Sequence, residues 1–156
     1  MYPMLKLVHI TAAVLFLGNI ITGLFWHAHA ARTHDPKLLF HTMDGIIRSD
    51  RWFTNPCAIV LTLAGVFLAI QAHLPILHTP WILRAIVLFS ASGLLFVLRV
   101  TPLQKQLREL ARGGMAAAAF DYATYARLAR AWDLWGAASL LLSLGALAVM
   151  VLKPML

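Results

Sequence analysis

The sequence predicts an all-α fold: an integral membrane four-helix bundle with both termini outside. Three observations carry this. The 156 residues are 61% hydrophobic and 12% charged, and their mean hydropathy is +0.78, well above the usual apolar share of a soluble domain. Four apolar stretches, at about residues 5–30, 52–72, 81–100 and 132–152, are each long enough to cross a hydrocarbon core of about 30 Å. Ten of the thirteen Lys and Arg lie between the first and second stretches, or from the end of the third to the start of the fourth. The connection over residues 73–80 has none, so the positive-inside rule places the two long loops in the cytoplasm. Topology thereby accounts for the formal net charge of +7, which is no sign of nucleic-acid binding. Four spans and their loops fill the chain as one domain, residues 1–156, with no room for a soluble catalytic module.

The first span is too long in its apolar run for a cleaved signal peptide. It carries His9 near its start, Asn19 at its middle and His27 at its end. Ionisable groups at membrane depth are costly, so they usually face the bundle interior and bind or relay something. The two histidines are 18 residues apart, which is five helical turns, so they share one helix face roughly 27 Å apart. Each could present an imidazole to a cofactor near one membrane surface; the plain alternative is a pair of interfacial histidines reaching outward.

The first long loop is His-rich, with His29, His34 and His41. Asp35-Pro36 signals a helix start, and Leu38, Leu39, Met43, Ile46 and Ile47 recur at helical spacing, which predicts an amphipathic helix on the inner membrane surface. In the second long loop, Gly113-Gly114 is expected to break the helix that continues span 3, and residues 115–131 to resume as helix into span 4. Gly18, Gly23, Gly65, Gly93, Gly136 and Gly145 mark expected close helix contacts. Trp52, Trp81, Trp132 and Trp135 fall at expected interfaces. The single Cys57 excludes an internal disulfide.

The remaining polar residues sort by side. The outer group holds Lys6, His9, His73, His78, Arg84 and Lys153. His73 and His78 flank the short outer loop, so either could complete a bis-imidazole pair with His9 across a haem. Arg84, three residues after Trp81, either snorkels to headgroups or turns inward to hold a carboxylate such as a haem propionate. The inner group includes His27, Asp50, Arg51, Arg99 and Asp133. Asp133 opens span 4 and reads as a favourable helix N-terminal charge, a partner of Arg99 or Arg130, or a proton relay. Arg84 and Asp133 are the candidates for a catalytic role. No C-x-x-C-H, H-E-x-x-H or Walker A pattern occurs.

The opening Leu5-Lys6-Leu7-Val8-His9-Ile10 resembles the L-K-x-x-H-I start of HemJ, a four-helix bacterial membrane protein implicated in oxidising protoporphyrinogen IX. Arg51 with Pro56 and Gly65, Trp81 with Arg84, and the ending Val151-Leu152-Lys153-Pro154 are similar to further HemJ stretches. Nearly the whole chain resembles a related group of predicted bacterial inner-membrane proteins through its run Arg48-Ser49-Asp50-Arg51-Trp52-Phe53-Thr54-Asn55-Pro56. The opening helix is also similar to that of the copper-resistance membrane protein CopD. The resemblance implies a multi-pass protein of a bacterial inner membrane with periplasmic termini, and His9 as axial ligand of a b-type haem. The chain departs from HemJ in two places: Arg84 stands where it has lysine, and Trp132-Asp133-Leu134-Trp135 occupies the region of its N-E-x-P.

The resulting expectation is a haem b-binding protein acting in electron transfer or in tetrapyrrole or quinone oxidation. His9 ligates iron with His73 or His78 as a second ligand, Arg84 anchors propionates, and Arg51 with Asp50 serves the inner half, where His27 could hold a second haem. Electrons pass to quinone or a respiratory partner. The alternatives are copper handling, because Met1, Met4, Met150 and Met155 join His9, His73 and His78 on the outer side, and an accessory subunit packed by its glycine faces into a larger complex or homo-oligomer.

Overall fold

The computed structural model describes residues 2–116 and 120–154. Those residues form six α-helices and no strand: α1 (Tyr2–Ala31), α2 (Pro36–Ser49), α3 (Asn55–Gln71), α4 (Pro80–Leu95), α5 (Thr101–Ala116) and α6 (Tyr122–Leu152). A π-helical turn, Asp50–Thr54, fuses α2 to α3, and a second, Phe96–Val100, fuses α4 to α5. The result is four rods of 30, 36, 37 and 31 residues, each apolar enough to cross a membrane. At 1.5 Å per residue they run roughly 45–55 Å, well beyond a hydrocarbon core of about 30 Å. Both described ends of the chain lie with the α3–α4 turn at one end of the bundle, where Lys153 Nζ sits 5.3 Å from the Trp81 ring centre.

Because the rods outrun a bilayer, the bundle has two halves with different packing. In the apolar half α1 pairs with α3 and α4 with α6. Backbone demands are met within each helix, which is what lipid requires. Outward faces carry large apolar side chains, among them Phe25, Ile59, Phe67 and Leu141, which lipid solvates. Between α4 and α6, Ser92 Oγ lies 2.9 Å from Ser139 Oγ and 2.8 Å from Ser143 Oγ, a buried polar seam suited to helix contacts in lipid. Gly145 faces Leu88 and Gly136 faces Leu24. Gly18 and Gly93 do not serve the close contacts expected of them; nothing lies within 4 Å of a Cβ built there.

The dense core lies in the other, basic half. Ala30, Leu39, Met43, Ile46, Val100, Leu107, Ala111, Tyr125, Ala129 and Trp132 form one cluster. This corrects the placement of α2 on the membrane surface. Its apolar stripe, Leu39, Met43 and Ile46, is buried against α5, which presents Leu107 and Ala111 at the same helical period. Where lipid ends, two amphipathic helices bury their stripes best on each other. Asp44 at the rim holds Arg48 at 2.8 Å and Arg108 at 3.6 Å.

Start signals read from the chain hold at α2, where the Asp35 side chain accepts from Lys37 N–H at 2.9 Å and Pro36 takes the first position. Two boundaries move. The α5 helix runs through Gly113-Gly114 to Ala116, since an exposed helix tolerates glycine at about 1 kcal/mol. The last helix begins at Tyr122, capped by Asp121, whose carboxyl is held below the usual carboxylate range by hydrogen bonds from the Thr124 hydroxyl and N–H. Asp133 therefore lies three turns inside α6 and is not a helix-start charge.

The two halves predict opposite sensitivities. Leu107→Ala, in the dense core, should lower unfolding stability by about 2–5 kcal/mol. Leu141→Ala, 67% exposed, should stay within about 0.5 kcal/mol of the parent. Reversible denaturation in mixed micelles measures both.

Candidate functional site

His9 sits on α1 where α3 passes, half-buried. Its Nδ1 lies 2.9 Å from the Leu61 carbonyl oxygen and therefore donates to it. Gly65, one turn further along α3, leaves room for the ring: a Cβ there would stand 3.0 Å from His9 Cε1. The carbonyl selects the tautomer with hydrogen on Nδ1, and Nε2 has no hydrogen-bond partner among the described residues. A backbone acceptor on one ring nitrogen and a free lone pair on the other is how metal-binding histidines are usually held.

The other residues of the apolar half do not close around His9 in one cluster. His73 takes a left-handed conformation (φ 54°) in the turn after α3, and His78 ends the short 3₁₀ turn Ile76–His78. Gly65 to Gln71 is six helical residues, so His73 lies roughly 10 Å nearer the bundle end than the His9 ring. Arg84 is in the first turns of α4 at this same end. No group of three or more His, Cys, Asp or Glu able to hold a metal ion occurs among the described residues. Of the four methionines expected around copper, Met4 is exposed and Met150 partly buried; Met1 and Met155 lie outside the described residues.

The two catalytic candidates are far apart. Lys153 over Trp81 sets the register of α4 and α6, which leaves Arg84 and Asp133 roughly 25 Å apart along the bundle. Asp133 instead approaches His27, with Oδ1 3.4 Å from Nδ1. That is ion-pair distance but off the line of a hydrogen bond, so Nδ1 is buried without a hydrogen-bond partner. Arg99, one of its expected partners, lies over the Trp135 ring at 5.3 Å.

His27 is fully buried. Its Nε2 is 3.1 Å from the Tyr125 hydroxyl, and its ring meets Trp132 edge-on with centroids 4.7 Å apart. These residues do not fit the second haem expected there, because a plane of that size would have to replace Tyr125 or Trp132. Arg51, assigned to the same inner half, is exposed.

The polar centre of the basic half is Asp50. Asn19 Nδ2 donates to Asp50 Oδ1 at 3.1 Å and to Thr54 Oγ1 at 2.8 Å. Thr54 Oγ1 donates to Oδ1 at 2.7 Å, and Gln104 Nε2 to Oδ2 at 2.8 Å. Three rods thus converge on one carboxylate. Asn19 and Asp50 stand out in the sequence as polar groups beside apolar runs; Thr54 and Gln104 do not. Only the Asp50-to-Thr54 spacing of one turn hints at their association, and Gln104 reaches the site from a distant rod.

Taken together, the four apolar rods define a multi-pass helical membrane protein with polar sites in both halves. The model of a family described as predicted integral membrane protein (DUF2269) matches residues 3–154, and the chain belongs to that family. No curated protein and no solved structure matches it.

Removing the Tyr125 hydroxyl tests the His27 cluster. Tyr125→Phe leaves the buried Nε2 without a partner and should lower stability by about 1–3 kcal/mol. Arg51→Gln, at an exposed side chain, should change it by less than about 0.5 kcal/mol.

Proposed function

We propose that the protein binds b-type haem through His9 and acts in electron transfer within a bacterial inner membrane. The observation that carries this reading is the ring geometry: Nδ1–H committed to the Leu61 carbonyl, a glycine making room beside the ring, and an Nε2 without a partner among the described residues. Those residues fit a histidine that could hold haem iron. The neutral imidazole is the form that ligates metal. His9 would hold the iron, and Arg84, at the same end of the bundle, would meet propionates with its fork of donors.

Haem bound there supplies one-electron redox chemistry, with a potential set by its ligand and burial. The chain itself contributes the fixed tautomer and the apolar surround. Electron transfer to quinone or a respiratory partner is favoured over HemJ-like oxidation of a tetrapyrrole. Arg84 stays charged and so cannot donate a proton as lysine can, and Asp133 is about 25 Å away along the bundle. The distribution of Lys and Arg supports termini on the periplasmic side.

Oxidised and dithionite-reduced absorption spectra of the detergent-purified protein, with a pyridine haemochrome for stoichiometry, test the reading. A sharp reduced α-band and equimolar haem are expected. His9→Ala should abolish both. Gly65→Val should deplete haem by pushing on the ring, while Gly18→Val, with nothing within 4 Å, should not. A colourless protein made with ample haem overturns the assignment and points to copper titration of the same half.

A further inference from the structure

We propose that Asp50, with the cavity beside it, is a buried proton-binding site whose carboxylate takes up and releases a proton through water. The site stands apart from any haem at His9. Asp50 is 7% exposed, and each of its hydrogen-bond partners, Asn19, Thr54 and Gln104, is neutral. A carboxylate withdrawn from water with no cation beside it is strongly disfavoured, and in membrane helices such groups mark ion and proton pathways.

Among the described residues, the surrounding elements do not supply a counter-charge. On α2, Arg48 is paired with Asp44; on α5, Arg108 is shared between Asp44 and Glu109. Arg99 of the second π turn lies over Trp135, and His27 of α1 sits between Tyr125 and Asp133. Arg51 and Lys105, the basic neighbours in sequence of Asp50 and Gln104, are exposed.

Two independent observations point to a ligand at this place. The first is a cavity of about 20 Å³ whose wall is mostly apolar and into which Asn19, Asp50, Gln104, Trp132 and Ser139 bring polar groups. That is enough for one water. Trp132 is almost fully buried, and its indole Nε1 has no hydrogen-bond partner. The second is backbone form. The π turn Asp50–Thr54 brings Asp50 to this cavity and the π turn Phe96–Val100 walls its other side. Single π turns inside α-helices occur frequently at functional sites.

The partner set suits two protonation states. A hydronium in the cavity passes its proton to Asp50, leaving water and a neutral carboxylic acid. The acid must now donate from one oxygen. Thr54 can rotate its hydroxyl, and Asn19 or Gln104 can turn an amide to present oxygen in place of nitrogen. An arginine or lysine partner could do neither. Since Asn19 comes from α1 and Gln104 from α5, proton uptake is felt where three rods join.

Infrared difference spectra of the full chain in lipid vesicles, recorded against pH without added haem, test this. The chain has only six Asp and Glu residues, so single carboxyls can be resolved by substitution. On acidification the parent should gain a protonated-carboxyl C=O band that Asp50→Asn lacks and Asp133→Asn keeps. Gln104→Met removes a donor to the carboxylate and should move the midpoint to higher pH. That variant carries the test if Asp50→Asn does not fold. Identical titrations of parent and Asp50→Asn, or an unmoved midpoint in Gln104→Met, overturn the proposal. Loss of the band on adding sodium at fixed pH also overturns it, in favour of a metal-cation site. Since no haem is present, the outcome is separate from the fate of the His9 reading.

Discussion

The packing of α2 on α5 is the interaction on which the rest of the bundle depends. In lipid, helix association gains little from burying apolar surface, because acyl chains solvate leucine as well as another helix does. Beyond the hydrocarbon that equivalence ends, and the stripe Leu39, Met43 and Ile46 must leave water. It does so against Leu107 and Ala111, while the first turns of α6 add Tyr125, Ala129 and Trp132 to the same core. The dense half clamps the four rods and sets their registers. The apolar half inherits that arrangement and refines it with small residues and the serine seam of Ser92, Ser139 and Ser143.

Joining a water-facing clamp to a lipid-facing bundle creates a junction, and the polar chemistry gathers there. Both π turns fall at it, each placing an extra residue into a helix as it passes from one environment to the other. The Asp50 carboxylate is reached by donors from α1 and α5 as well as from its own rod. A network satisfied from three rods couples the chemistry of one carboxyl to the packing of all three. The His27 cluster stands one layer further into the basic half and ties α1 to α6 in the same manner, through Tyr125 and Trp132.

His9 and His27 show how little a shared helix face determines. They are five turns apart on one face, yet α1 meets α3 at the first and the start of α6 at the second. Against α3 the ring finds a backbone carbonyl and a glycine, so one nitrogen is left free. Against α6 it finds a hydroxyl, an indole and a carboxylate, and is enclosed. The chemistry open to each histidine follows from what the neighbouring helix brings to its level.

Much of this protein is legible in the chain alone. The number of spans, their apolar faces, the amphipathic character of residues 36–49 and the helix start at Asp35-Pro36 all follow from local periodicity and capping, which act over a few residues. The value of Asn19 and His9 as polar groups in an apolar run is legible for the same reason. The end of the helix that continues span 3 was not, since Gly113-Gly114 reads as its break while the helix runs through both glycines to Ala116. Nor was the pairing of Asp133 with His27, the exposure of Gly18 and Gly93, or the recruitment of Thr54 and Gln104 to Asp50. Those depend on which rods lie side by side and at what register, a choice made by long-range burial in the basic half. Sequence by itself determined that four helices form and which faces avoid water; tertiary structure decided which polar groups meet, because contact between distant segments is set by packing that no local pattern encodes.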